Sequence, residues 1–284
     1  MSRVLRYQVA DAEKGLRLGS FLRRRGYAQG LLAALRQSDG VRVNGRLRYM
    51  RDQVYGGDII QVCLPEDRPS LQANPGLQVT VLYEDEDILL VDKPAGMLTH
   101  PAGEGFDDAL GNFFTAHCPG LSFRPIGRLD RNTTGVCLLA KNRFAAGMLS
   151  GKTEKIYYAV AEGIIRPESG IIDRPLIAEP GGSNKRLVDP LGKPSITLYQ
   201  VLRRLPDHTF LRLQPVTGRT HQLRAHLSWL GYPLAGDVLY GGSLDCINRQ
   251  ALHCGCLRFV HPVDGRQMVI NAPLPPDICT LLGL

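Results

Sequence analysis

The chain has 284 residues, with 34 Lys and Arg against 27 Asp and Glu, a formal net charge of +7. Its 44% hydrophobic and 21% charged content excludes a wholly disordered chain, and its length accommodates two domains. No apolar run approaches the roughly 20 residues needed to span a bilayer, and Met1-Ser-Arg-Val-Leu-Arg-Tyr-Gln8 holds no apolar signal-peptide core, so a cytoplasmic protein without membrane association is expected.

The charge is unevenly spread. Residues 1–70 carry 13 of the basic and 7 of the acidic residues, a net of +6, leaving 21 basic and 20 acidic for the rest. A basic module joined to a near-neutral body points to a polyanion partner, nucleic acid before others. The competing reading is a solvated basic face. The seven cysteines are odd in number and form no Cys-x-x-Cys pair, so buried free thiols are expected. Cys254-Gly-Cys256 beside His253 is the one cluster, and no further ligands can be placed for it, so no metal and no cofactor are expected.

Along the chain, residues 16–25 carry Leu18, Phe21 and Leu22 at helical spacing, with Ser20 near the start and Gly26 as the stop. Residues 29–37 predict a second helix with Leu31, Leu32 and Leu35 on one face. Val41-Arg-Val-Asn-Gly-Arg46 holds the two-residue hairpin signal Asn44-Gly45. Gly56-Gly57-Asp58 leads into the strand pattern Ile59-Ile-Gln-Val62. Residues 65–77, with Pro65, Pro69, Asn74, Pro75 and Gly76, have linker composition. Beyond them strands are predicted from Val79, at Ile88–Val91, and over 136–140, 156–161, 196–202, 209–214 and 267–271. Helices are predicted over 107–117, 142–150 and 219–230. This order is no regular βαβ alternation, so the fold class expected is α+β with a mixed, mainly antiparallel central sheet.

The stretch with the most chemistry is Gly127-Arg-Leu-Asp-Arg-Asn-Thr-Thr-Gly135, followed by the apolar run Val136–Ala140. Asp130 lies between Arg128 and Arg131 in sequence. A carboxylate held near guanidinium groups keeps its charge and suits nucleophilic work better than general-acid work. Read without further context, it is equally a surface turn.

The segment resembles the signature of the RluA-type pseudouridine synthases, an Arg-Leu-Asp followed by Thr-Ser/Thr-Gly and an apolar strand. Four further segments resemble that family in order: Tyr83–Pro101, Lys155-Ile-Tyr-Tyr-Ala159, Val216–His226 with Gly231–Asp237, and Leu252–Pro262. The resemblance implies Asp130 as nucleophile, Arg224 as the buried cation that pairs with it, and Tyr157 as the aromatic residue on the base. It also implies that Arg128 fills the stack vacated by a flipped uridine. Tyr158 is the neighbour of Tyr157, but strand alternation points it to the other face. Where many relatives carry His before Arg-Leu-Asp, this chain has Gly127.

Residues 15–64 resemble the S4-type RNA-binding domain, departing from it at Gly19 and at Ala28-Gln29. Under that resemblance Arg23, Arg24, Arg25, Arg42, Arg46, Arg48 and Arg51 supply phosphate contacts, which give affinity with little sequence reading. The implied organisation is an S4-like domain over 1–70, a linker over 71–77 and a catalytic domain over 78–284. The expected protein is a monomeric, cofactor-free isomerase of uridines in RNA, ribosomal before transfer RNA, with a non-catalytic RNA-binding factor as its rival. A glycosidase-like reading lacks a second carboxylate partner. Gly151-Lys152-Thr153 is no phosphate loop, because Ala146 stands where its first Gly is needed, and Gly103-Glu-Gly105 lacks a third Gly. His221 and His226 are five apart, about 140° around a helix, and suit packing or RNA contact better than a shared metal.

Overall fold

The computed structural model describes residues 3–66, 69–103 and 105–284. Met1, Ser2, Asp67, Arg68 and Glu104 lie outside the described residues, including two charges of the basic N-terminal count, the middle of the linker composition and the centre of Gly103-Glu-Gly105.

The first unit runs β1 (Val4–Gln8), α1 (Leu18–Arg24), α2 (Gln29–Gln37), β2 (Val41–Val43), β3 (Arg46–Leu47) and β4 (Ile59–Cys63). Its strands form an antiparallel sheet in the order β1-β4-β2-β3. Leu18, Phe21 and Leu22 of α1 and Leu31, Leu32 and Leu35 of α2 bury their shared faces against Ile60 and Val62 of β4. The stripe predicted from spacing is therefore the stripe that packs. Helix α1 begins two residues later than its pattern, and Ser20 sits in its first turn without capping, because Arg17 holds the cap position. Asn44 and Gly45 both take positive φ, 50° and 78°, as a two-residue hairpin turn requires.

Residues 71–77 lie along the first helix of the second unit rather than free of it. Asn112 donates to the Gln72 carbonyl at 2.8 Å, and Asn74 donates to the Asp107 carbonyl at 3.0 Å.

The second unit runs β5 (Thr80–Glu84), β6 (Ile88–Lys93), α3 (Leu110–His117), β7 (Thr134–Ala140), α4 (Arg143–Leu149), β8 (Glu154–Glu162), β9 (Ser169–Asp173), β10 (Leu176–Ala178) and β11 (Arg186–Val188). It continues with β12 (Ile196–Arg204), β13 (His208–Pro215), α5 (Gln222–Trp229), β14 (Leu252–Val260), β15 (Gln267–Asn271) and α6 (Pro276–Leu282). Its large sheet has the order β5-β6-β7-β14-β8-β13-β12-β9, with β15 on β14. The β7–β14 contact at His253–Thr134 and Cys254–Gly135 is its parallel pairing, and the rest is antiparallel. This is the mixed, mainly antiparallel α+β fold expected. Every residue of β7 is buried, which is why its sequence is a continuous apolar run and not an alternation. Among the described residues no helix is long and apolar enough to cross a membrane.

Candidate active site

Asp130 sits on the loop that enters β7, and the backbone of that loop is clamped from three directions. Lys93, at the end of β6 and 0% exposed, donates from Nζ to the carbonyls of Arg131 at 2.9 Å, Met97 at 2.7 Å and Pro94 at 2.8 Å. Burial pulls its pKa down to about 8. The Thr99 hydroxyl donates to the Leu129 carbonyl at 2.9 Å and accepts from the Leu129 amide at 3.2 Å. Arg249, anchored by Asp277, donates to the Asn132 carbonyl at 3.0 Å. Gly135 closes the loop into β7 at φ 111°, where a Cβ would collide with the Cys254 carbonyl. A side chain there would push β7 off β14, so the glycine of the signature is needed for close strand approach.

The partners of the Asp130 side chain come from far along the chain. Arg224 of α5 donates from Nη1 to Oδ2 at 3.2 Å, and His221 Nε2 lies 3.7 Å from the same oxygen. Arg128 and Arg131, its sequence neighbours, are exposed and make no ion pair with it among the described residues. The guanidinium anticipated beside Asp130 is thus the distant one and not the adjacent ones.

Arg224 is itself held more tightly by a second acid. Asp237, with a side chain 1% exposed, accepts from Nε and Nη2 at 2.7 Å each in a bidentate fork. The Tyr240 ring lies 5.0 Å from the same guanidinium, and its hydroxyl is 3.2 Å from His221 Nδ1. Burial pushes the His221 pKa below its ordinary value despite the Asp130 charge nearby. His221 takes a left-handed backbone, φ 55°, which delays the start of α5 to Gln222, three residues beyond the predicted boundary. The Gln222 side chain then accepts from the Arg219 amide at 3.1 Å and the Thr217 hydroxyl at 2.9 Å, satisfying that turn. His226 points elsewhere, to Thr197 and the Arg174 carbonyl, so the two histidines share no ligand.

Tyr157 of β8 is buried between Leu213 of β13 and Cys254 of β14. Burial pushes its phenol well above the ordinary value, so it stays protonated. Tyr158 lies on the opposite face, with its ring against Gly255 and 6.0 Å from Phe210.

These groups open onto one cleft of about 600 Å³, lined by Arg128, Asp130, Lys155, Tyr157, Arg219, His221 and Arg224 among others. Asp130 is the one carboxylate in that lining among the described residues. Gly127 lies at its rim, with Lys155 Nζ 2.9 Å from where a Cβ would stand.

Of the N-terminal arginines, Arg23, Arg24, Arg42, Arg46, Arg48 and Arg51 are exposed. Arg25 departs from the expectation. It forms a bidentate pair with Glu13 at 2.9 and 3.0 Å and covers the Phe21 ring at 3.5 Å, so its charge is committed inside the unit. His253, the histidine beside the cysteine cluster, contacts Thr134 and the Ala272 carbonyl.

Four residues of this site do not emerge from the sequence reading. Asp237 ends one of the family-like segments, but nothing local marks its charge as buried. His221 reads there as packing or an RNA contact, with no link to Asp130. Tyr240 carries no signal. Lys93 does carry one: a single cation ends an apolar strand just before Pro94.

Comparison with known proteins agrees with this architecture. Residues 87–229 match the family model described as RNA pseudouridylate synthase. Ribosomal large subunit pseudouridine synthase D of Pasteurella multocida is 32% identical over 280 residues, covering 90% of this chain and 86% of that one. An uncharacterised RNA pseudouridine synthase of Bacillus subtilis is 38% identical over 255 residues, covering 84% of each. Among solved structures, human RNA pseudouridylate synthase domain containing 1 superposes with a TM-score of 0.61 at 28% identity, covering 73% of this chain and 90% of that one. A family match on the segment that carries Asp130 and Arg224, together with relatives that align along most of the chain, means that this protein belongs to the RluA-type RNA pseudouridine synthases and is an isomerase.

Proposed function

We propose that this enzyme isomerises uridines of large-subunit ribosomal RNA, with Asp130 as its nucleophile. The observation that carries the catalytic part is the single carboxylate of the cleft, set on a clamped loop and paired with a buried guanidinium at 3.2 Å. The reaction breaks the C1′–N1 bond and makes a C1′–C5 bond on the same ring, with the C5 proton released and N1 taking up a proton. It needs a nucleophile near the ribose, and Arg224 holds the Asp130 carboxylate by a hydrogen bond at 3.2 Å. A rigid loop keeps the carboxylate in place without reorganisation during the step. Tyr157, as a neutral phenol, packs on the base. Arg128, exposed at the rim, enters the stack that the uridine leaves, offsetting an extrusion cost of about a few kcal/mol. A hydrolase working through two carboxylates is disfavoured by the single acid in the lining.

The N-terminal unit reads as an S4-type RNA-binding domain whose exposed arginines contact phosphates, in a monomeric cytoplasmic enzyme. The ribosomal target is supported by the relatives named for the large subunit. Mapping pseudouridines across cellular RNA with and without the gene tests it. Loss of at least one modification in large-subunit RNA is expected, and loss confined to transfer RNA would overturn the target.

A further inference from the structure

The basic unit is joined to the rest by more than the chain between them. Phe144 and Met148 belong to α4 of the catalytic unit, yet both pack into the core of the N-terminal unit. Phe144 is 4% exposed, and its ring lies 4.6 Å from that of Tyr27. A Cβ on Gly26 would collide with Met148 Sδ, so the turn after α1 closes directly onto this side chain.

A polar contact locks the same junction. Arg3 donates from Nε and Nη2 to the two oxygens of Asp87 at 3.0 and 2.8 Å, and it pairs with Glu86 at 2.6 Å. Asp87 is 2% exposed and also accepts from Asn142 Nδ2 at 2.8 Å. Asn142 Oδ1 in turn caps α4 by accepting from the Ala145 amide at 2.8 Å. The line Arg3–Asp87–Asn142–α4 therefore ties the edge strand of one unit to the first turn of a helix in the other. Ala146 and Ser150, on the same α4 segment, line the cleft.

Domains in one chain move relative to each other unless a large apolar interface holds them. Here the interface is a shared core plus a buried carboxylate whose cation comes from across the junction. We propose that α4 docks the N-terminal unit at a fixed distance and orientation from Asp130. Phe144 and Met148 are its positioning residues, and the enzyme accordingly selects RNA whose gripped backbone and target uridine keep that spacing. A fixed geometry raises the effective concentration of the uridine at the cleft once the first unit has bound, and a loose tether forfeits that gain. The proposal rests on the reading that the N-terminal unit grips RNA.

Two full-length variants test it. Phe144→Ala with Met148→Ala keeps good helix formers in α4 while emptying the dock. Arg3→Glu sets a negative charge against Asp87 and Glu86 and leaves every core residue in place. Small-angle X-ray scattering should show a larger radius of gyration for both. KM for a folded ribosomal fragment should rise by about tenfold or more with kcat little changed. Both constants for a short single-stranded oligonucleotide should stay as in the parent. Compact scattering from both variants would overturn the proposal. So would an unchanged KM on folded RNA once the unit is released, or an equal rise on both RNAs, which would mean that α4 only shapes the cleft. Failure of the RNA-gripping reading is visible separately: Arg42→Gln with Arg46→Gln and Arg48→Gln would leave affinity for folded RNA untouched, whatever the scattering shows.

Discussion

In the N-terminal unit every buried side chain among the described residues is apolar or aromatic, and the one buried phenol, Tyr27, meets Tyr7. In the catalytic unit the buried set includes Lys93, Asp87, Arg224, Asp237, Arg249, His226 and His253. Both units are built around an apolar core, but one keeps all its described arginines except Arg3 and Arg25 exposed and the other takes charges out of water. Exposed charges contribute little to stability and much to long-range attraction of a polyanion. Buried, paired charges hold a geometry and leave a large penalty when one partner goes. On the proposed reading, a binding surface and a catalytic cleft thus draw on the same residue types in opposite environments.

The largest effect should come from breaking a buried pair. Arg224→Ala leaves Asp237 with no cation in a site 1% exposed, which should cost about 3–5 kcal/mol. Turnover should fall steeply as well, because Asp130 loses the same partner. Denaturant unfolding and tritium release from [5-³H]uridine RNA read the two separately. A variant of normal stability would mean that Asp237 is solvated in solution.

A smaller effect concerns acid. Burial lowers the pKa of His221, His226 and His253. The unfolded chain takes up protons near pH 6.5 while the folded sites resist them. Stability is therefore complete above about pH 6.5 and is lost as the pH falls through the depressed folded values. Residues 1–70 contain no histidine. Thermal melts between pH 7.5 and 5.5 should show a falling Tm, with amide exchange rising in β7 and β14 before β4. A flat Tm would show these histidines to be solvated.

The smallest effect on stability, and a clear one on binding, belongs to the exposed arginines. Arg42→Gln, Arg46→Gln and Arg48→Gln should each change stability by about 0.5 kcal/mol or less. Each should flatten the dependence of log affinity on log salt by about one for every phosphate that is no longer neutralised. An affinity series across salt checks this, and an unchanged slope would make those charges a solvated face.

Buried strands are the most legible part of the sequence. Val136–Ala140 lies within β7 and residues 156–161 within β8 because both strands are covered and so read as apolar runs. Strands β9, β10 and β11 are not legible. They are short, with β9 and β10 mostly exposed and β11 half-buried throughout, so hydrophobic periodicity has little to register. Helix α6, seven residues opening on Pro276, is too short to show a period either. At the site, local motif reading reaches Asp130, Tyr157 and Arg224. The fork from Asp237 forms where the chain folds back on α5 within 13 residues, and the approach of α5 to the loop of Asp130 spans 94 residues of sequence at Arg224. The adjacent arginines, which make Asp130 look paired on paper, form no ion pair with it.

The measurement that bears most directly on Asp130 is Asp130→Asn, assayed for tritium release and for RNA affinity on one preparation. An amide in place of the carboxylate keeps the shape and leaves the Arg224–Asp237 fork intact. Stability and RNA affinity should therefore stay close to those of the parent, while pseudouridine formation falls to background. Turnover near that of the parent, in a folded variant that binds RNA, would contradict the assignment.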